Sequence, residues 1–321
     1  MTAKKPLFNR LALIGTGLIG SSIARAARAQ GVVRSIVATA RTPATRKRVA
    51  ELGLADQVVE SNTAAVEGAD LVIVCIPVGA SGAVAKEIGP HLASGATVSD
   101  VGSVKGAVLR DMAPHLPKGV HFVPAHPVAG TEYSGPDAGF AELFVNRWCI
   151  LTPPENADAA AVEKLAAFWR ALGANVETMN ADHHDLVLAI TSHLPHLIAY
   201  TIVGTAEELG EVTKSEVLQF SAGGFRDFTR IAASDPTMWR DVFLANKDAV
   251  LEMLGRFNED IAALTKAIRN GDGKTLFDQF TRTRAIRKGI VDIGQDSAAP
   301  DFDRPHPDLK EPLPKPYSSG E

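Results

Sequence analysis

A glycine-rich segment near the start of the chain constrains the fold more than any other feature. Residues 15–20 have the sequence GTGLIG, directly after the apolar run RLALI and at the start of a helical segment. In such a turn Gly15 allows the tight bend, Gly17 lets a pyrophosphate approach the backbone, and Gly20 lets the helix pack on the strand. The N–H groups at the helix start bind the phosphates. We therefore predict that a dinucleotide is bound by Gly15, Thr16, Gly17, Leu18, Ile19 and Gly20.

The pattern up to about residue 179 is that of a parallel sheet covered by helices on both faces. Short, continuous apolar runs such as SIVATA and DLVIVCIP alternate with helical segments. Strands that are apolar without alternation are typical of parallel sheets that are buried on both faces. Later strands of this sheet are expected at 121–125, 147–151 and 175–179. We predict an α/β domain over residues 8–179, with a Rossmann-type doubly wound parallel sheet.

From about residue 180 the strand-like runs give way to segments with a helical period. The main helices are expected over residues 181–210, 236–269 and 273–291. We therefore predict an all-α C-terminal domain over residues 180–293, whose apolar helix faces a second copy of the chain could cover as a homodimer. The tail, residues 294–321, is polar and rich in proline, so we expect it to stay unfolded.

Composition argues against several classes of protein. With 33 Lys and Arg against 37 Asp and Glu, the net charge of −4 does not suit a surface that binds nucleic acid. The longest apolar run, Leu71–Gly82, is shorter than the roughly 20 residues of a membrane span, and no signal peptide is evident. Cys75 and Cys149 form neither a disulfide framework nor a metal motif. We expect a cytoplasmic protein without a membrane partner.

The end of the second strand bears on the choice of nicotinamide cofactor. An acidic residue about 20 positions after the glycines would bind the ribose hydroxyls of NAD, but Ala40 occupies that place. Arg41 and Thr42 follow, and a guanidinium beside a hydroxyl suits the 2′-phosphate of NADP. We favour NADP over NAD, although Arg41 as an ordinary surface cation is the alternative. Ile76 and Pro77, which end the run DLVIVCIP, are also expected in the cofactor site.

Two polar segments follow later strands, where open α/β sheets bind their ligands. DVGSVKG spans residues 100–106, and HPVAGTE spans residues 126–132. His126 is the side chain best suited at neutral pH to accept a proton from an alcohol as hydride leaves its carbon. Ser103 could bond either the imidazole or the substrate oxygen. A histidine whose hydrogen bonds are satisfied within its own loop is the alternative to a catalytic site.

Five motifs in this chain together resemble those of the prephenate/arogenate (cyclohexadienyl) dehydrogenase family. They are GTGLIG, DVGSVKG, HPVAGTE, SHLPH at 192–196 and GGFRDFTRIAASDPTMW at 223–239, in the family's order. The resemblance implies an NAD(P)-dependent oxidative decarboxylation, in which prephenate gives 4-hydroxyphenylpyruvate or arogenate gives tyrosine. It also implies a Rossmann domain followed by a helical dimerisation domain.

The resemblance also implies roles for individual residues. His126 would accept the hydroxyl proton, and Ser103 would orient it. Arg230 would bind a substrate carboxylate, and Arg226 would lie on the same face if this stretch is helical. The other substrate contacts that it implies are Thr131, Glu132, His193, His196 and Trp239.

Two other functions stay open, and a metal site is not expected. A Rossmann dehydrogenase of the β-hydroxyacid type would place a catalytic lysine on the helical domain, but no lysine there lies in a recognisable motif. A non-catalytic dinucleotide sensor would not need the set of Ser103, His126 and Arg230. His193 and His196, with His183, His184 and Asp185 near them in the sequence, could suggest a metal site, but the spacing lacks the HExxH form of a zinc site.

Overall fold

A computed structural model describes residues 5–212 and 222–290. The tail over residues 294–321, which we predicted to be unfolded, lies outside these ranges. The chain divides into two compact units, Met1–Met253 and Leu254–Glu321. The boundary between residues 179 and 180 that the sequence suggests stays a prediction.

The first unit contains a six-stranded parallel sheet in the order β3-β2-β1-β4-β5-β6. This is the strand order of the dinucleotide-binding fold, so the predicted fold class is confirmed. Residues of β1 point alternately to two apolar clusters, Leu11 and Leu13 to one and Ala12 and Ile14 to the other. The sheet is therefore buried on both faces. The strands are β1 (Phe8–Ile14), β2 (Val33–Thr39), β3 (Gln57–Val58), β4 (Leu71–Val74), β5 (Thr97–Asp100) and β6 (His121–Phe122).

Helices connect these strands, and side-chain caps begin several of them. Thr42 Oγ1 accepts the N–H of Thr45 where the second helix begins, and Asp158 accepts the N–H of Ala161 where the sixth begins. The short third helix, the fifth helix and the short strand β3 were not predicted. The helices are α1 (Leu18–Gln30), α2 (Pro43–Glu51), α3 (Asn62–Val66), α4 (Ser81–Ile88), α5 (Lys105–Met112) and α6 (Ala159–Ala171).

A second, three-stranded sheet follows the first. It contains β7 (Ala125–Pro127), β8 (Trp148–Leu151) and β9 (Asn175–Thr178) in that order. Strand β7 runs antiparallel to β8, and β8 runs parallel to β9. The prediction that these strands extend the large parallel sheet is therefore wrong.

The chain leaves the large sheet after β6, and this changes the position of His126. Pro124 stands between β6 and β7, and a proline cannot donate the hydrogen bond that would continue a ladder. His126 consequently lies on β7, opposite Ile150 of β8, and not in a loop behind a parallel strand as we expected.

The predicted helices of the later part are present, with two interruptions. A π-helical turn, Ala189–His193, comes just before Pro195, which lacks an N–H and crowds the preceding turn. Asn246 divides the long helix expected at 236–269. The remaining helices are α7 (Ala181–Leu188), α8 (Leu194–Val212), α9 (Gly223–Thr229), α10 (Pro236–Ala245), α11 (Lys247–Arg269) and α12 (Gly273–Ile290).

One helical stretch is longer and more apolar than the sequence analysis recognised. By length and composition alone, Ala181–Glu208 could cross a membrane. A single helix of this kind is weak support for a membrane span, because core helices of soluble proteins pass the same test. Our expectation that the chain has no membrane partner stays a prediction.

Candidate active site

The glycine turn between β1 and α1 fits a dinucleotide. Gly15 has a φ of +92°, and a Cβ there would collide with the carbonyl oxygen of Cys75. A Cβ on Gly20 would collide with the carbonyl oxygen of Gly15. At Gly17, by contrast, a Cβ would meet nothing within 4 Å. Close packing therefore requires glycine at positions 15 and 20, whereas Gly17 borders open space that a phosphate could occupy.

Polar groups that could bind phosphate lie at this turn. Gly17 is the N-cap of α1 and provides no side-chain cap, so the helix start can accept an anion. The hydroxyl of Thr16 is buried and has no hydrogen-bond partner among the described residues. Leu18 and Ile19 are half-buried in the first turn, and Ile76 follows β4 close to Gly15. Pro77 is exposed beside it.

Two guanidinium groups, rather than one, lie at the loop that follows β2. Ala40 is buried, whereas Arg41 and Thr42 are exposed. The hydroxyl of Thr42 accepts the N–H of Thr45 at 3.1 Å and so serves as a helix cap. Arg46, which the sequence analysis did not single out, donates Nη1 to the carbonyl of Ala40 at 2.8 Å. Its charge therefore lies at the same loop as Arg41.

His126 is buried and belongs to a chain of hydrogen-bonded side chains. Its Nδ1 lies 2.9 Å from Nε2 of His184, and Nδ1 of His184 lies 2.8 Å from Oδ1 of Asp185. The carboxylate of Asp185 accepts the backbone N–H groups of Lys105 at 2.7 Å and Gly106 at 2.8 Å. From the sequence, His184 and Asp185 were of interest only as metal ligands, whereas the structure connects them to His126.

The surroundings of His126 keep its ring neutral. Burial lowers the pKa of His126 well below 6.5, and the neighbouring His184, Lys105 and His193 lower this pKa further. A neutral imidazole has one nitrogen that can accept a proton. His126 is therefore in the protonation state that a general base requires at neutral pH.

A buried ion pair holds the residue before His126. Lys105 Nζ lies 2.5 Å from Oδ2 of Asp100, and both side chains are almost fully buried. The same Nζ donates to the carbonyl of Ala125 at 2.7 Å, and Asp100 Oδ1 accepts the N–H of Ala125 at 3.3 Å. Burial lowers the pKa of Lys105, and the charge of Asp100 opposes that shift. Sequence reasoning missed this pair, although both residues belong to the motif DVGSVKG.

Ser103 lies between β5 and α5 and is partly exposed. Within the described part of the chain, His126 makes no hydrogen bond with Ser103. The backbone of Ser103 lies near the ring of His193 instead. Of the two roles that we considered for the hydroxyl, a bond to the substrate oxygen is the one that this arrangement favours.

His193, His196 and Trp239 form an aromatic cluster. The rings of His196 and Trp239 stack with centroids 3.6 Å apart, and the His193 ring meets Trp239 edge-on at 6.1 Å. Burial lowers the pKa of each histidine to about 4, so both are neutral near pH 7. Trp239 is buried, and its Nε1–H has no hydrogen-bond partner among the described residues. This N–H is thus a donor that a ligand could use.

The two arginines of the last motif lie in different surroundings. Arg230 donates Nη1 to Oε2 of Glu132 at 2.9 Å, and its charge helps to lower the pKa of His196. Arg226 is 77% exposed and pairs with Asp227. Helix α9 ends at Thr229. Arg230 instead begins a 3-10 turn, Arg230–Ala233, so the α-helix on which a shared face depended does not include both arginines, and only Arg230 joins the cluster.

Apart from Arg226, the predicted substrate residues thus lie around one region of the first unit. His193 lies near His126 and Trp239, while His196 lies near Trp239 and Arg230. Arg230 in turn pairs with Glu132, from the segment that follows His126. Thr131 is partly exposed there, and its hydroxyl accepts the N–H of Tyr133 at 3.3 Å.

Comparisons with protein families match almost the whole described chain. Residues 23–178 match the family model described as prephenate dehydrogenase, nucleotide-binding domain. Residues 180–282 match the model described as prephenate dehydrogenase, dimerization domain. A cyclohexadienyl dehydrogenase from Zymomonas mobilis is 42% identical over 284 residues, which are 88% of this chain and 97% of that protein.

Two solved structures are similar in fold to this chain over most of its length. The prephenate dehydrogenase of Aquifex aeolicus, in complex with hydroxyphenyl propionate and NAD+, has a TM-score of 0.82 and is 32% identical. The match covers 88% of this chain and 98% of that chain. The arogenate dehydrogenase of Synechocystis has a TM-score of 0.73 and is 26% identical, over 88% of this chain and 99% of its own.

Proposed function

Because the chain belongs to the prephenate dehydrogenase family, we propose that His126 is the base of its reaction and that Arg230 binds a substrate carboxylate. The chain is an NAD(P)-dependent oxidoreductase of tyrosine biosynthesis, and it catalyses the oxidative decarboxylation of prephenate, arogenate or both. The observation that carries the assignment of residues is the neutral, buried ring of His126 in the region that Arg230, His196 and Trp239 surround.

Each residue of this region has a task that its surroundings allow. A nicotinamide dinucleotide supplies the hydride acceptor when it is bound. His126 takes the proton of the ring hydroxyl, and the hydroxyl of Ser103 orients that oxygen. Trp239 and His196 form an aromatic wall that orients the six-membered ring, with His193 packed behind it. Thr131 and Glu132 border the site, and a substrate carboxylate would share Arg230 with Glu132.

A spectrophotometric assay tests the overall function. Reduced-cofactor absorbance is followed with prephenate and with arogenate, each paired with NAD and with NADP. We expect turnover with at least one of the four pairs. Absence of turnover with all four pairs would overturn the proposed function, and the pattern of activity identifies the substrate and cofactor preferences.

Arg230→Gln is expected to lower kcat/KM by about 10- to 100-fold, mainly through KM. A charge-assisted hydrogen bond to a substrate carboxylate contributes roughly 1.5–3 kcal/mol, and glutamine cannot supply the charge. Steady-state kinetics with saturating cofactor measure the effect. Arg240→Gln is the matched control, because Arg240 is exposed and, among the described residues of the first unit, forms an ion pair only with its neighbour Asp241. An unchanged kcat/KM in Arg230→Gln would refute the role of Arg230.

We also propose that the site prefers NADP. The glycine turn and the start of α1 would hold the pyrophosphate, and the loop after β2 would hold the adenine ribose. Ala40 brings no carboxylate that would repel a 2′-phosphate, while Arg41 and Arg46 supply positive charge. Thr42 already caps α2, so it contributes less than the sequence suggested.

The double change Ala40→Asp with Arg41→Ile is expected to shift the preference towards NAD. Loss of one charge-assisted contact and gain of a carboxylate should lower kcat/KM for NADP by about 10-fold or more relative to NAD. The ratio of kcat/KM for the two cofactors is the measurement. Arg34→Ile, on the exposed part of β2, is the control. An unchanged ratio in the double variant would contradict the argument from this loop.

We propose that the chain forms a homodimer through its helical part, which contains the matched dimerization domain. The second unit exposes large apolar side chains, and patches of this kind mark association surfaces. They include Ile261, Ile268, Phe277, Phe280 and Ile286. Light scattering that gives the mass of one chain would contradict the dimer. A cytoplasmic location agrees with the biosynthetic role of the family and is proposed with it.

A further inference from the structure

We propose that His184 and Asp185 are positioning residues that set the tautomer of His126, so that Nε2 of His126 is the atom that takes the substrate proton. The inference deepens the proposed function and rests on the role of His126 as base. It concerns which nitrogen of His126 accepts the substrate proton and which side chains keep that nitrogen unprotonated beforehand.

The direction of each hydrogen bond can be worked out from Asp185, the last residue in the hydrogen-bonded series His126–His184–Asp185. Its carboxylate already accepts two backbone N–H groups at the start of α5, where a helix N-terminus favours negative charge. An ionised carboxylate can only accept, so Nδ1 of His184 must donate across the 2.8 Å contact. Because a neutral imidazole carries one proton, Nε2 of His184 is left without one.

The same reasoning then fixes His126. The bare Nε2 of His184 lies 2.9 Å from Nδ1 of His126 and must accept from it. The single proton of neutral His126 therefore resides on Nδ1. Its Nε2 keeps a lone pair, and this is the nitrogen that does not face His184. The geometry thus leaves one nitrogen of His126 free to act as base.

The groups nearest His126 disfavour a proton on its ring, whereas the carboxylate of Asp185 favours positive charge on the hydrogen-bonded neighbour His184. His126 is faced by His184, Lys105 and His193, none of which carries negative charge. Behind His184 stands Asp185, with Asp100 and Lys105 nearby. When His126 gains a proton, its Nδ1–H becomes a charged donor to His184, and the negative charge of Asp185 stabilises the pair. The hydrogen-bonded chain thereby offsets part of the burial penalty on a protonated ring.

Helix α7 is anchored so that this chain stays in place. Asn246 donates Nδ2 to the backbone carbonyl of Asp185 at 2.8 Å, and the same Nδ2 lies 3.1 Å from Nδ1 of His193. The π-helical turn Ala189–His193 follows directly. A purely structural role for this buried network is the competing explanation, and the experiment must separate the two.

The kinetic test compares two replacements of His184. In His184→Leu the acceptor is lost, and we expect kcat to fall by about 10- to 100-fold with KM changed less than about threefold, as for one bond to a charged group. In His184→Gln the side-chain oxygen can still accept from Nδ1 of His126, so most of the kcat should return. His183→Leu and His183→Gln are the controls, because His183 is the exposed neighbour on the same helix.

Side-chain ¹⁵N spectra of histidine test the tautomer without relying on activity, and the His126→Asn variant assigns the signal. The wild-type protein should show His126 protonated at Nδ1 and bare at Nε2, and His184→Leu should move the proton towards Nε2. A wild-type His126 protonated at Nε2 would overturn the proposal, and so would a wild-type kcat in His184→Leu.

If kcat in His184→Gln is as low as in His184→Leu, the proposal is also overturned, and the role of His184 is structural. If His184→Leu does not fold, the wild-type spectrum and the glutamine variant still decide the question. Failure of the proposed function can be recognised separately. Normal turnover in His126→Asn would show that His126 is not the base, whereas the spectra would still report the tautomer of His126.

Discussion

Replacement of His126 with asparagine is expected to lower kcat by about 10²–10⁴-fold while cofactor affinity stays nearly unchanged. The range is the usual contribution of a positioned general base. Asparagine can keep a hydrogen bond to His184, but it cannot accept the substrate proton. Initial rates and fluorescence titration of the cofactor measure the two quantities. His115→Asn, at an exposed histidine on the same unit, is the control, and normal turnover in His126→Asn would exclude this base.

The pH dependence of the wild-type enzyme gives a check on the same residue. Burial lowers the pKa of His126 well below 6.5, so the ring is neutral above that pKa and loses its basic nitrogen only as the pH falls through it. We expect kcat/KM to be insensitive to protonation of His126 near pH 7 and to decline only in distinctly more acidic solution. If the pH profile of kcat/KM in the wild-type enzyme declined with a midpoint at or above pH 6.5, and this decline were absent in His126→Asn, the lowered pKa would be contradicted.

Lys105→Met is expected to reduce the free energy of unfolding by about 3–5 kcal/mol. The change removes one partner of a buried ion pair and leaves the charge of Asp100 without compensation. It also removes the hydrogen bond from Lys105 Nζ to the carbonyl of Ala125. Urea denaturation measures the loss, and turnover should fall as well because Ala125 precedes His126.

An exposed lysine provides the comparison for this change. Lys274 pairs with Asp278 at 2.6 Å on the surface of α12, and exposed pairs of this kind contribute little to stability. Lys274→Met should therefore leave the urea midpoint nearly unchanged. If Lys105→Met is no more destabilised than Lys274→Met, the buried pair does not contribute to the free energy of unfolding as its burial suggests.

The sequence predicted those features that depend on local residue types. The glycine turn after β1 and the apolar strands of the large sheet follow from the spacing of glycines and from continuous apolar runs. The departure of β7 from the sheet was not predicted, because it depends on pairing between Ala125–Pro127 and a strand more than 20 residues later. Local spacing likewise could not show that α9 ends before Arg230.

The partners of His126 escaped prediction for a related reason. His184 lies 58 positions from His126, and Asp185 lies 80 positions from the N–H of Lys105 that it accepts. Neither separation has a periodic signal, so the two residues were noticed only as neighbours of other histidines. The charged pair in DVGSVKG gave a usable hint, since Asp100 and Lys105 stand within apolar surroundings that charged residues enter only when paired.

The carboxylate of Asp185 also limits how the two family segments can be exchanged between enzymes. The matched nucleotide-binding and dimerization regions meet near residue 179, yet Asp185 binds the start of α5 and, through His184, the strand that carries His126. A chimera joined at that boundary would therefore combine the base from one parent with the side chains that orient it from the other. Recombination just after α7 would keep both in one parental segment.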